Sequence, residues 1–379
     1  MTRQISEIVR RLFGTRAAWP MLLAIALLCT AGVMAINIVN PPLASDQQRR
    51  IAIGGLCLFL VLVPHYQWIA RLGFPIFAAV LILLVAVLFT ARINGAKRWF
   101  AVFGGPQLQP SELAKIAFIF ALAWYLRYRK DVRTWGGLVI PFAMMIVPCV
   151  LVLAEPDLGT ALLFPAILYA MLIAAGARLR QLAIIAIIAL GLFSFAYGHL
   201  KDYQKRRVES WMQLINAAPD SPPQQGDGYQ QMQSMIAIGS GGWLGNAASR
   251  HNIAKGMLPE AHTDFIFAVI GSQWGFVGCG IVLLMYIGFL GAAMEIAAST
   301  KEPFGRMLVV GLATLVLWQA AINVAMTIAL GPVVGIELPF VSYGGSAMLA
   351  NMIAAGLMLN VSIRRNTRMS TLPSSFAAA

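Results

Sequence analysis

Apolar residues in this chain come in blocks rather than in alternation. Each block is nearly free of charge, and short polar turns separate most of them. A helix of about 20 apolar residues matches the hydrocarbon thickness of a bilayer. The blocks fall near residues 17–39, 51–69, 72–91, 112–127, 136–154, 158–176, 181–199, 265–294, 304–330 and 344–363. The pattern predicts an all-α polytopic membrane protein of about ten transmembrane helices, a single membrane domain over residues 1–379. The first block is longer than a signal-peptide core and has no convincing small-residue cleavage site, so it reads as an uncleaved helix.

One connection breaks the rhythm. Residues 200–263, between the seventh and eighth blocks, are polar but patterned. Val208, Trp211, Met212 and Ile215 share one face of a helix, flanked by Lys205, Arg206 and Arg207. A breaker, SPPQQGDG, follows, then a second helical run from Tyr229 to Ile238 and a glycine turn. A long loop with ordered elements of its own is usually functional.

Composition sharpens this picture. Hydrophobic residues make up 59% of the 379 and charged ones only 11%, against about a quarter charged in soluble domains. The net charge of +13 is dispersed in short runs between apolar blocks, which fits membrane topology and anionic lipid rather than nucleic acid. Counting short loops, Arg3, Arg10, Arg11, Arg16, Arg71, Arg127, Arg129, Lys130, Arg133, Arg178, Arg180, Lys301, Arg306, Arg364, Arg365 and Arg368 fall on one side. By the positive-inside rule that side is cytoplasmic, with both termini, and the long loop lies outside. The tail 369–379 is small and polar and reads as disordered. Cys29, Cys57, Cys149 and Cys279 lie in apolar blocks with no metal or disulfide spacing, and read as core residues. No phosphate-binding loop, dinucleotide fingerprint or HExxH string occurs.

The candidate chemistry collects at outer turns. Glu112 and Lys115, in QPSELAK, share a helix face. Glu155 and Asp157 stand in AEPDLGT, His262 and Asp264 in LPEAHTDFIFA, and Glu337, Ser342 and Tyr343 in GIELPFVSYGGS. Each has a plain structural reading: an ion pair for Glu112 and Lys115, a helix start for Asp157, a helix cap for Thr263 or Asp264. Together they suggest one cavity open to the outer leaflet. Acids near hydrocarbon are costly to place. Cations such as Lys115, Arg206, Arg207 and Arg98 suit a phosphate at a membrane surface, and a carboxylate beside them suits proton abstraction from a hydroxyl. A sugar carried on a lipid pyrophosphate fits both.

The strings QPSELAK, EPDLGTA, DYQKRRV, GYQQMQSMIAIGSGG, LPEAHTDFIFAV and LPFVSYGGS, in that order, resemble the SEDS family of ten-span bacterial membrane proteins. AIGSGG and the layout lean toward the elongation branch, RodA, although LPEAHTDFIFA also suits the division branch, FtsW. The resemblance implies a peptidoglycan glycosyltransferase of the bacterial inner membrane that polymerises lipid II during cell elongation. It also implies a class B penicillin-binding transpeptidase and other elongation-complex proteins as partners. Asp264 would match the family's essential aspartate and act as base, and Glu112, Lys115 and Asp157 match other sensitive positions. Arg206, Arg207, His262, Ser342 and Tyr343 join Asp157 as candidate substrate-binding residues. The chemistry admits a divalent cation, magnesium or manganese, with no ligand set assigned. A lipid II flippase and a non-catalytic scaffold are the alternatives. The chain departs from the family where GEELG is expected: it has Ser272 and Gln273 in place of two acids. GNAASRHNIAK, residues 245–255, is also unusual.

Overall fold

The predicted blocks are helices in the computed structural model, which describes residues 12, 14–90, 97–101, 107–196, 202–216, 226–246, 258 and 260–365. The N-terminal arginines before Arg16, Arg92, most of the SPPQQGDG breaker, most of residues 245–255 and the C-terminal tail lie outside the described residues. In chain order the helices are α1 (Ala18–Val39), α2 (Pro41–Leu62), α3 (Tyr66–Arg71), α4 (Gly73–Val87) and α5 (Pro110–Leu126). They continue as α6 (Trp135–Ala154), α7 (Leu158–Ala174), α8 (Leu179–Ala196), α9 (Asp202–Asn216) and α10 (Gly226–Ser240). The last three are α11 (Ile266–Ser299), α12 (Pro303–Thr327) and α13 (Gly345–Ile363). A two-residue antiparallel ladder, β1 (Phe100–Ala101) with β2 (Gln107–Leu108), is the strand content among the described residues. Among the described residues five helices, α1, α6, α11, α12 and α13, are long and apolar enough to cross a bilayer on length and composition alone; α4, α7 and most of α8 are shorter apolar helices. Cys29 and Cys279 are buried and Cys57 and Cys149 half-buried, all four as free thiols.

Helix ends follow from local chemistry. The second helix starts at Pro41, ten residues before the apolar block, because its polar first turns are used inside the protein: Gln47 is buried and donates to the Ser342 carbonyl at 2.8 Å. Pro at the first helical position costs nothing, since that N–H is free anyway. At the other end, Pro64 cannot continue the helix and leaves carbonyls without helical partners. Asn360 of α13 donates to Val61 (2.6 Å) and Pro64 (2.8 Å), and Arg364 donates to Leu62 (2.9 Å). In lipid such carbonyls must be satisfied by protein.

Small residues let the helices meet closely, as is usual where lipid provides no hydrophobic drive between helices. A Cβ at Gly356 of α13 would lie 2.8 Å from the Leu58 carbonyl of α2, and one at Gly32 of α1 only 2.3 Å from the Val341 carbonyl. The 34 residues of α11 would make a rod of about 51 Å if straight. Gly275, at φ +64° and ψ −159°, breaks it. That combination is essentially restricted to glycine. The part from Ile266 to Gln273 is buried throughout, and the remainder runs on as the long span.

The long connection docks on this kink and on the end of α12. Phe276 and Val277, whose N–H groups the kink frees, donate to Gly242 (2.8 Å) and Trp243 (3.1 Å), and Asn246 donates to Ser272 (3.1 Å). Trp211 of α9 donates to Ala329; Gln231 of α10 donates to Met326 and Gly331; Ser234 donates to Thr327. The last carbonyls of a helix need partners, and here α9 and α10 supply them.

Candidate active site

The turn from Glu260 to Phe265 leads into α11. Its cap residue is Phe265, with no side chain capping the helix. The capping reading of Thr263 and Asp264 therefore fails. The Thr263 hydroxyl bonds Glu260 Oε2 at 2.8 Å instead, and the Asp264 carboxyl faces the irregular connection between α12 and α13. A Cβ at Gly335 would stand 3.6 Å from Asp264 Oδ2.

Three ties fasten these segments together. Asn323, buried on α12, donates to the carbonyls of both Asp264 (2.8 Å) and Ile336 (2.7 Å). The Ser342 hydroxyl donates to Thr263 (2.6 Å) and accepts from the Leu338 N–H (2.8 Å). The Tyr343 N–H donates to the His262 carbonyl at 2.9 Å. Non-helical backbone at membrane depth is tolerated where protein satisfies it. Ser342, expected to bind substrate, is 3% exposed, and its hydroxyl both donates and accepts within the protein.

Asp157 likewise bonds within the protein. It caps α7, accepting from Thr160 N–H at 3.1 Å, and its other oxygen accepts from Gln109 at 2.9 Å. The helix-start reading was the right one for its side chain, although its charge still acts on Asp264. Glu112 and Lys115 form a buried ion pair at 2.6 Å on α5, and Lys115 is 1% exposed. His262 and Tyr343 form an edge-to-face pair with centroids 5.5 Å apart. Arg50 lies over the Tyr343 ring at 4.1 Å and donates to its hydroxyl at 2.9 Å. Arg206 is exposed on α9; Arg207 pairs with Asp227 at 3.4 Å and also acts on Asp264. Arg98 donates to the carbonyls of Glu155, at 2.9 Å, and Pro156.

These charges set the acids. Burial, then Glu260, pushes Asp264 up to about 6, with Arg207 and Arg98 opposing. Burial, then Glu112 and Asp264, pushes Glu337 up to about 8, against Lys115 and Arg50. Burial, then Asp157, pushes Glu155 to about 8. Glu337 therefore lies in the field of both Asp264 and the Glu112–Lys115 pair and joins the two halves of the constellation. A carboxylate near 6 is ionised at neutral pH yet more basic than an ordinary aspartate, which suits a general base.

Sequence reasoning left Asn323, Gln47, Gln109 and Arg50 out of the site, and noted Glu337 without a role. Their signal was weak: single polar residues in or beside apolar helices. Ser272 and Gln273, which replace expected acids, are buried, and Gln273 donates to Ala35 of α1 at 3.4 Å. Among the described residues no three His, Cys, Asp or Glu side chains are grouped to hold a metal ion.

The sequence pattern of the FtsW, RodA and SpoVE family, described as cell cycle protein, matches residues 12–367. This chain belongs to the SEDS family. A probable peptidoglycan glycosyltransferase FtsW of Geobacter metallireducens is 32% identical over 361 residues, covering 91% of this chain and 94% of that protein. The protein of the same description from Trichlorobacter lovleyi is 35% identical over 302 residues, 78% of this chain and 77% of its own length. A chain of a peptidoglycan synthase complex, solved to show how polymerization and crosslinking are coordinated, superposes with a TM-score of 0.79 at 29% identity, over 92% of this chain and 98% of that one. The rod shape determining protein RodA of Thermus thermophilus gives 0.69 at 29% identity, over 92% and 97%. These two relatives thus carry the division-branch name and the Thermus structure the elongation-branch name, and the lean toward RodA gains no support from the sequences.

Proposed function

We propose that this SEDS protein is a peptidoglycan glycosyltransferase that polymerises lipid II by inverting glycosyl transfer, with Asp264 as general base. The observation that supports the reading is the Asp264 carboxyl, free of helix capping, fixed through its carbonyl by Asn323 and set in the field of Glu260, Arg207, Asp157 and Arg98. Asp264 takes the proton of the acceptor sugar's 4-hydroxyl. That oxygen bonds to the donor's anomeric carbon as the carbon–phosphate oxygen bond breaks. The electron pair leaves on undecaprenyl pyrophosphate, a weak base that needs no general acid. Arg207, Arg206 and Arg98 attract the pyrophosphate, and buried Lys115 adds positive potential beneath it. No step is routed through a metal, because the described acids do not form a ligand set; a divalent ion would arrive on the pyrophosphate itself.

The distribution of Lys and Arg orients the chain with both termini cytoplasmic and the Asp264 turn facing outward in the bacterial inner membrane. A class B penicillin-binding transpeptidase as partner is supported by the likeness to a synthase complex that couples polymerization to crosslinking. The branch follows from phenotype: depletion rounds the cells in the elongation role and makes filaments in the division role.

The test is polymerisation of lipid II by the purified protein with its transpeptidase. Asp264→Asn is expected to lower the rate by at least about a hundredfold. A normal rate in that variant overturns the base assignment, and lipid II movement across liposomes without polymer would point to a flippase.

A further inference from the structure

Between α4 and α6 runs a groove of about 630 Å³ in which every lining residue is apolar; Leu81, Ile82 and Val85 of α4 face Ile146, Val147 and Val150 of α6. The volume falls within the roughly 300–1,000 Å³ of ligand clefts. Ile82, Val85, Ile146, Val147 and Val150 are all exposed, so the groove opens sideways, toward lipid. Both helices begin beside arginines assigned to the cytoplasmic side, Arg71 and Arg133. The lining residues lie in the later half of each helix. The groove therefore sits at the depth of the outer leaflet.

Two neighbouring cations stand at its outer end. Lys97 donates to the carbonyl of Leu88, the cap residue that ends α4, at 2.8 Å. Arg98 donates to the carbonyl of Glu155, which ends α6, at 2.9 Å, and to that of Pro156. At the rise of an α-helix, Glu155 is only about 6 Å beyond Leu151, the last lining residue of α6. A cation at a helix C-terminus has an ordinary structural use. These bonds nevertheless take one of the three donors of a lysine and two of the five of an arginine, and the others can meet an anion. The chain then runs from Pro156 into Asp157, which accepts from Gln109 at 2.9 Å. The mouth of the groove thus adjoins the candidate active site.

We propose that the groove between α4 and α6 holds the prenyl chain of the lipid diphosphate, with the phosphates on Lys97 and Arg98 and the sugar directed toward the Asp157 side of the site. The choice of this lipid rests on the glycosyltransferase reading. Bilayer hydrocarbon is as apolar as the groove, so the chain gains little transfer energy by entering it. Affinity comes from the charged head, and the groove fixes the path of the chain. Two adjacent cations match the two phosphates of a diphosphate, whereas a phosphodiester lipid brings one.

Photo-crosslinking of the full-length protein in nanodiscs with radiolabelled undecaprenyl pyrophosphate tests this. The photo-reactive p-benzoylphenylalanine replaces Ile82 at the groove or, as control, Ile187 on α8; the two positions are equally open to lipid, at 69% and 68% exposure. Labelling at 82 is expected to exceed that at 187 severalfold, and to be displaced by unlabelled undecaprenyl pyrophosphate but not by excess phosphatidylglycerol. Equal labelling at both positions, or displacement by phosphatidylglycerol, overturns the proposal, because the groove then holds bulk lipid. Lys97→Gln keeps a donor for the Leu88 carbonyl but no charge, and should weaken labelling at 82; unchanged labelling overturns the role given to Lys97. Val150→Trp fills the groove from its lipid-facing side. In lipid II polymerisation it is expected to raise KM severalfold with kcat and the thermal midpoint kept, and an unchanged KM counts against the groove. If the protein labels at 82 yet makes no polymer, the glycosyltransferase reading fails and the lipid diphosphate site stands. If it makes polymer without that label, the groove assignment alone fails.

Discussion

A single carboxyl carries most of the functional argument, and its placement is a cost to the fold. In the unfolded chain Asp264 titrates near its ordinary value of 3.8; in the folded protein burial, followed by Glu260, raises it to about 6. The folded state therefore binds the proton more tightly. Between these two values stability falls as pH rises, and above about 6 the full cost of the buried charge is present. Asparagine has the same shape and no charge. Asp264→Asn is accordingly expected to raise the thermal unfolding midpoint at neutral pH, by roughly a few degrees, while removing polymerisation. The gain should vanish below about pH 4, where both side chains are neutral. A midpoint that drops at neutral pH would mean that the carboxylate is structural, and the case for a catalytic base would weaken. Such a trade of stability for activity is common at active sites. The acids at this site were readable from sequence because charge beside hydrocarbon is rare. Their separate roles were not. Asp157 meets the Gln109 side chain, 48 residues away, and Ser342 the Thr263 carbonyl, 79 residues away, and no local pattern announces such partners. Asn323, which ties two of the site's segments, is one polar residue in the long apolar run of α12.

Among the elements, α11 shows why hydropathy finds spans and misses their shape. The sequence shows one apolar block, and it is all helix by composition. The structure divides it at Gly275 into a buried leading part, which ends the Asp264 turn, and a long span. The glycine is needed twice: its backbone lies at φ +64°, and a Cβ would fall 2.5 Å from Gly245 N. Neither need has a signature in a run that contains Gly271, Gly278 and Gly280 as well. Gly275→Ala should cost about 3 kcal/mol or more, from the strained dihedrals plus the clash. It should also part the 241–246 turn from α11, since the same backbone accepts that turn. Faster protease cleavage in the 241–257 region, with the remaining helices still protected, is the expected readout; unchanged cleavage and midpoint would show that the kink is dispensable. The second helix was misjudged for the opposite reason. Its first ten residues, PPLASDQQRR, are polar and read as a loop, yet they are helical because Gln47 and Arg50 are consumed at the site. Polarity at a membrane boundary does not distinguish a loop from a helix whose polar face is buried.

For the molecule as a whole, the question is whether the long connection between α8 and α11 is a cover or a working part. Four side-chain hydrogen bonds, from Trp211, Gln231 (two) and Ser234, attach α9 and α10 to the end of α12. That attachment brings Arg207 close enough to lower the Asp264 carboxyl against the upward push of burial. The connection is thus wired electrostatically to the base, and the wiring is testable at a distance. Gln231→Leu removes the donor to both Met326 and Gly331 and leaves two carbonyls to be satisfied by water, which should loosen α10 and with it the Arg207–Asp227 pair. Asp264 would lose a nearby positive charge, so its titration should move upward from about 6. In the pH profile of kcat/KM for lipid II polymerisation, the acid limb should shift to higher pH in Gln231→Leu. It should shift in the same direction in Arg207→Ala, and no further in the double variant, because both act through one charge. A change in rate at all pH values with an unmoved acid limb would mean that the connection only grips substrate. An additive shift in the double variant would mean that Gln231 acts on Asp264 by a route other than Arg207.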